Sequence, residues 1–71
     1  MKRTAFDIMR DWDAEAGIPP RSDEALMADV PGSLTNRAFS GDWDDWLEAL
    51  ERGDVAAIIE GRLMWGLRPF V

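Results

Sequence analysis

The chain has 71 residues and a formal net charge of −6, from fourteen acidic and eight basic residues. A domain this short buries only about 60% of the surface that its unfolded chain exposes, so its stability margin is thin. Disulfides or metals often stabilise such small domains, but the sequence has no cysteine and no histidine. We therefore expect one domain over 1–71, held by dense aromatic packing or by self-association, in a reducing, cytoplasmic compartment.

The acidic charge balance disfavours direct contact with nucleic-acid phosphates or anionic membranes. Asp7 interrupts the place where a signal peptide needs its apolar core, and the longest apolar run, Val55 to Ile59, is too short to span a bilayer. Hydrophobic residues nevertheless make up 46% of the chain and include four tryptophans. These features predict a folded, soluble protein that binds neither nucleic acid nor membrane.

The first predicted helix runs from about Ala5 to Ala16. Thr4 is a suitable N-cap, and Asp7 three residues later completes a capping-box pattern. Gly17 and the prolines that follow it end the helix. Ser22 then caps a short second helix that ends near Val30, and Ser33 can cap a further segment through Phe39 that is α-helical, 3₁₀ or irregular.

The next predicted helix, from Trp43 to Arg52, has the clearest two-sided pattern. Asp42 is its N-cap and Gly53 ends it. Its apolar side chains gather on one side of the helical wheel and its acids on the other. Glu48 precedes Arg52 by four residues, which is the favourable order for an ion pair on one helix face.

Asp54 is the predicted cap of a last helix that begins at Val55. Either Gly61 ends this helix and leaves an extended tail, or the helix continues to Trp65 and places Arg62 in the middle of the apolar face. The positions expected to face the core are Val55, Ile58, Ile59 and Leu63. The predicted fold class is all-α, a compact bundle of four to five short helices, with or without an extended C-terminal tail.

The residues that usually carry catalysis are scarce. The chain has no histidine, cysteine or tyrosine, and Lys2 is its only lysine. The serines lie at helix starts or turns, where capping explains them. The acidic run from Asp42 to Glu48 lacks the central glycine and the spacing of a calcium loop. We expect no enzymatic activity, no cofactor and no metal.

Two acidic ridges are the candidate partner-binding features. Like charges one turn apart on a helix cost about 0.2–0.5 kcal/mol per pair, so such ridges invite a functional explanation. One interpretation is that they imitate a phosphate array and occupy the basic groove of a nucleic-acid-binding protein; the other is that they only keep the protein soluble. The candidate residues are Asp7, Asp11 and Glu15 in the first ridge, and Asp44, Asp45, Glu48 and Glu51 in the second.

The profile of short length, negative charge and no active site is similar in type to small anti-CRISPR inhibitors and other phage proteins that mimic DNA. That similarity implies an inhibitor that works by occupying a basic surface of a partner protein. An antitoxin that neutralises a basic toxin has the same electrostatic requirements. No sequence motif separates these two hypotheses.

The C-terminal segment supports an alternative function. The stretch from Leu47 to Arg68 faintly resembles the helix-Gly-Asp-helix ends of phage tail assembly chaperones over about a third of the chain. This resemblance implies an assembly adaptor that contacts its partner through Trp65, Leu67 and Phe70. The segment from Leu63 to Val71 has no acid and several large apolar residues, so it can form an exposed patch for a partner or for a second copy of the chain. The same segment can instead pack over the core.

Overall fold

The computed structural model describes residues 3–31 and 39–70, which form four α-helices and no strand. These four helices, with no strand among the described residues, confirm the predicted all-α fold. None of these described helices is long and apolar enough to cross a membrane. The predicted segment that begins at Ser33 lies, except for Phe39, outside the described residues. The helices are α1 (Ala5–Glu15), α2 (Asp23–Asp29), α3 (Trp43–Glu51) and α4 (Val55–Met64).

Each helix begins at the predicted cap. The Thr4 hydroxyl accepts a hydrogen bond from the backbone N–H of Asp7, whose carboxylate accepts one from the backbone N–H of Thr4. Ser22, Asp42 and Asp54 each accept from the backbone N–H three residues later. These bonds satisfy N–H groups that have no partner within the helix, so the local sequence determines where each helix starts.

The end of α4 distinguishes the two alternatives for the C-terminal region. The helix passes through Gly61 and ends at Met64, and Gly66 follows with φ +74°. A left-handed residue just past a helix end is usually glycine, because other residues are strained there. The longer helix is therefore confirmed, and Arg62 is buried within it, with 5% of its surface exposed.

A cluster of tryptophans occupies the centre of the core. The ring centroid of Trp12 lies 6.4 Å from that of Trp46 and 5.2 Å from that of Trp65. Helix α1 packs against α2 and α3, and α3 packs against α4. The other buried hydrophobic residues of the core are Ala5, Met9, Leu26, Val30, Ala49, Leu50 and Ala57.

The indoles approach α4 so closely that only small residues fit beneath them. A Cβ atom on Gly61 would lie 2.2 Å from Cη2 of Trp12. The indole nitrogen of Trp46 donates a hydrogen bond to the backbone oxygen of Ala57 at 3.0 Å. Because the side of α4 that carries Ala57 and Gly61 faces the core, its larger side chains point the other way.

This orientation contradicts the predicted inward face of α4. Val55 is 61% exposed and Leu63 is 52% exposed, so the prediction that they face the core was wrong. Ile58 and Ile59 are half-buried. The sequence pattern identified the apolar side chains correctly, but the space available beneath the indoles determined which side of the helix is inside.

We predict that Gly61→Ala destabilises the protein. In a helix interior, alanine is favoured over glycine by about 1 kcal/mol, whereas overpacking a core costs about 1–3 kcal/mol. The rigid Trp12 indole leaves no room for the methyl group, so we expect a net loss of about 1 kcal/mol in the free energy of unfolding. Urea unfolding followed by circular dichroism measures it.

The matched control for this substitution is the same change in a Trp12→Phe background, where the smaller ring leaves space. There Gly61→Ala should cost less or stabilise the protein. A higher unfolding midpoint for Gly61→Ala in the otherwise unchanged chain would contradict the steric explanation.

Candidate functional site

Two acids of the first predicted ridge form ion pairs within α1 and its N-terminal flank. Asp7 accepts a hydrogen bond from Arg10 at 2.6 Å, and Asp11 pairs with Arg3. The backbone N–H of Thr4, followed by the Arg10 guanidinium, lowers the pKa of Asp7. These carboxylates therefore already have cationic partners within the chain.

Glu15, the third acid of that ridge, joins distant parts of the chain. Its two carboxylate oxygens accept hydrogen bonds from the terminal nitrogens of Arg62 at 2.7 and 2.8 Å. The Nε of Arg62 donates to the backbone oxygen of Arg68 at 2.6 Å. The Arg62 hydrogen bonds hold the pKa of Glu15 below its ordinary value. Glu15 thus anchors α4 and the C-terminal segment to the end of α1.

A buried charged residue, Asp13, was missed by the sequence analysis. Its side chain is fully buried and accepts hydrogen bonds from Nη2 of Arg21 at 2.6 Å and from the indole nitrogen of Trp65 at 2.8 Å. Arg21 also pairs with Asp29 at 3.0 Å, and its guanidinium carbon lies 5.6 Å from the centre of the Trp65 ring. The helical wheel places Asp13 among apolar residues of α1, which is the signal that would have revealed it.

The surroundings of Asp13 act on its ionisation in opposite directions. Burial raises the pKa of Asp13, but the hydrogen bonds from Arg21 and Trp65 and the charge of Arg21 lower it further than burial raises it. The net pKa lies below the ordinary aspartate value. Asp13 is therefore held as a carboxylate, in a structural role that connects α1 to the segment before α2 and to the end of α4.

The second predicted ridge has a different environment. Asp44, Asp45 and Glu48 are exposed on α3, and none forms an ion pair with another described residue. Arg52 lies 3.6 Å from Asp54, so the predicted Glu48–Arg52 pair was wrong. We call Asp44, Asp45 and Glu48 the α3 acidic face.

Glu51, the remaining acid of that ridge, is exposed but has a local role. One of its carboxylate oxygens accepts a hydrogen bond from the backbone N–H of Ala5 at 3.1 Å. It thereby satisfies a free N–H at the start of α1, where a negative charge is also favoured by the helix dipole. Glu51 is for that reason left out of the α3 acidic face.

The three predicted apolar contact residues of the C-terminal segment lie in different environments. Trp65 and Leu67 are half-buried and pack against the core. Phe70 is 65% exposed. It borders a cleft of about 250 Å³ that is also lined by Val55, Ile58, Ile59, Arg62 and Pro69.

Within residues 3–31 and 39–70, no group of three or more acidic side chains is arranged to hold a metal ion. The comparisons with known proteins provide no relative: the chain matches no family model, no curated protein and no solved structure. Function must therefore be argued from the surfaces themselves.

We predict that Asp13→Asn lowers the free energy of unfolding at neutral pH. Breaking a buried ion pair costs about 3–5 kcal/mol, and we expect the lower end, about 3 kcal/mol, because the Arg21 side chain is 25% exposed. Asp11→Asn, which removes an ion pair between two exposed residues, is the control and should change stability little.

The acid dependence of stability follows from the lowered pKa values of Asp7, Asp13 and Glu15. A carboxylate whose pKa is lower in the folded state binds fewer protons there than in the unfolded state. Its stabilisation is complete above its unfolded pKa, about 4, and is lost as the pH falls through the folded pKa. We expect unfolding free energy to fall steeply below about pH 4, and less steeply in Asp13→Asn. Equal slopes for both proteins would contradict this role of Asp13.

Proposed function

We propose that this protein acts by binding, and that its α3 acidic face occupies a basic surface on a partner protein. The observation that supports this proposal most directly is the difference in pairing between the two predicted ridges. Asp7, Asp11 and Glu15 have arginine partners, whereas the α3 acidic face has no ion pair among the described residues. The proposal therefore assigns partner binding to α3 and a structural role to the ridge on α1.

The energetic reason is that a carboxylate which already has a partner must lose it before it can pair with another cation. An unpaired, exposed carboxylate gives up only water. The five arginines at positions 3, 10, 21, 52 and 62 all pair with carboxylates outside the α3 acidic face. Among the described residues, the α3 acidic face thus presents three exposed carboxylates without an ion pair on one helix, and the negative field of such a group speeds the encounter with a basic surface.

The α3 acidic face is carried by a firmly held helix. Trp46 is fully buried, and the ring of Trp43 stacks on it with centroids 5.5 Å apart. The Asp42 side chain caps the helix through the backbone N–H of Asp45. Because the backbone that carries these charges is already ordered, binding costs little backbone entropy. Asp44 and Asp45 lie at the positive end of the helix dipole, which alone would explain their presence. It would not explain Glu48, which lies in the second turn.

The partner class that fits best is a protein with a Lys/Arg-lined groove for nucleic acid. Such a groove attracts carboxylates for the same reason that it attracts phosphates. Blocking it by occupancy would make the chain an inhibitor, as in phage proteins of the DNA-mimicking type; an antitoxin would use the same contact. The alternative, an assembly adaptor that binds through apolar residues, is favoured by the exposure of Phe70 and Val55.

We predict that neutralising the α3 acidic face with Asp44→Asn, Asp45→Asn and Glu48→Gln abolishes retention of the partner. Immobilised protein would capture it from a nuclease-treated lysate of the source cells, with elution along a salt gradient and identification by mass spectrometry. Because the contact is electrostatic, the partner should elute progressively as salt rises, and added duplex DNA should compete with the chain for it.

The matched control is Asp11→Asn, Asp23→Asn and Glu24→Gln, which makes the same change in net charge with three exposed residues of α1 and α2. These substitutions should leave capture unchanged. Equal loss of capture in both triple variants would show that capture depends on net charge and not on the α3 acidic face. Capture that does not change with salt concentration would refute the electrostatic proposal.

A further inference from the structure

The outward side of α4 is apolar along its whole length. Val55, Ile59 and Leu63 recur every four residues and so lie on one side of the helix. Val55 is 61% exposed and Leu63 is 52% exposed, and Ile59 between them is half-buried. Phe70, which is 65% exposed, borders the same cleft as Val55 and Ile59. We call these four residues the apolar face of α4.

Single exposed hydrophobic residues are ordinary on protein surfaces, but a continuous row of large ones is typical of an interaction site. The close contact between Trp12 and Gly61 fixes the orientation of α4, so this row cannot rotate into the core. The row therefore stays on the surface of the part of the chain that the structure describes.

The distribution of charge indicates which partner can cover this face. The helix α4 carries one acid, Glu60, and that residue is buried. By contrast, α1, α2 and α3 all present exposed carboxylates. The cation nearest the C-terminal end of this region, Arg68, forms no salt bridge with another described residue. Two copies of a chain with net charge −6 would repel each other at the acidic helices and least at α4.

We propose that the apolar face of α4 is the interface with a second copy of this chain, related by a twofold axis. The shape suits such an arrangement because an exposed side chain, Phe70, stands beside a cleft of about 250 Å³. In a twofold contact the same patch is used twice, so Phe70 of each copy enters the cleft of the other. Self-association also provides stabilisation to a short chain that has no disulfide and no histidine for a metal.

The test is sedimentation equilibrium of the intact chain over a concentration series, at low and at high salt. We expect a monomer–dimer equilibrium whose dissociation constant decreases as salt increases, because salt screens the repulsion between like-charged copies. This salt dependence is opposite to that expected for partner binding through the α3 acidic face, so either proposal can fail without the other.

The variant Val55→Lys/Leu63→Lys should raise the dimer dissociation constant about tenfold or more, because each copy loses two apolar contacts. Phe70→Ala should weaken the dimer in the same direction without adding charge. The matched control is Ile18→Lys/Met27→Lys, which places two lysines on exposed hydrophobic positions outside the apolar face of α4 and should not raise the constant. Circular dichroism reports whether each variant keeps its helices.

A single monomeric mass across the whole concentration series would overturn the proposal and leave the face to a different partner. Equal weakening by the α4 variant and its control would overturn it as well, because association would then not depend on this face.

Discussion

The contact between the Trp12 indole and Gly61 determines how the rest of the structure is arranged. Because α4 comes so close to the indole, only its side with Ala57 and Gly61 can face the core. Packing at this density resists the addition of a single methyl group, so the contact fixes the rotation of α4 about its axis. That rotation directs Val55 and Leu63 outward. The same helix also delivers Arg62 and Trp65 to their partners on α1.

Arginine–carboxylate pairs connect different segments of this chain, as disulfides or metals do in many small domains. Arg21 joins Asp13 to Asp29, and Arg62 joins Glu15 to the backbone of Arg68. The planar guanidinium suits this role because it can donate several hydrogen bonds in fixed directions to more than one acceptor. Arg62 and Glu15 are 47 residues apart in the sequence, and Arg21 connects α1 to α2, so part of the acidic composition is needed for the fold itself.

The sequence allowed the helices to be predicted because their boundaries depend on neighbouring residues. The N-caps at Thr4, Ser22, Asp42 and Asp54 are local hydrogen bonds, and they were correct. The inward side of α4 and the pairing of Glu15 with Arg62 depend on contacts between distant residues. A helical wheel reports which side chains share a face but not how much space the opposite element leaves. Asp13 and Gly61 were the available signals, since both interrupt the pattern expected of their helix.

A carboxylate's effect on partner binding depends on whether it is already paired, so acidic density alone does not locate an interaction surface. The α1 ridge and α3 have similar numbers of acids, yet the cations nearest to them in space differ. On α1 the arginines come from three different segments, at positions 3, 10 and 62. No described arginine pairs with the α3 acidic face, since Arg52 is directed to Asp54. Ion pairs within the fold thus neutralise the carboxylates of the α1 ridge, although its sequence pattern is similar to that of α3. The three exposed carboxylates of the α3 acidic face have no such partner among the described residues.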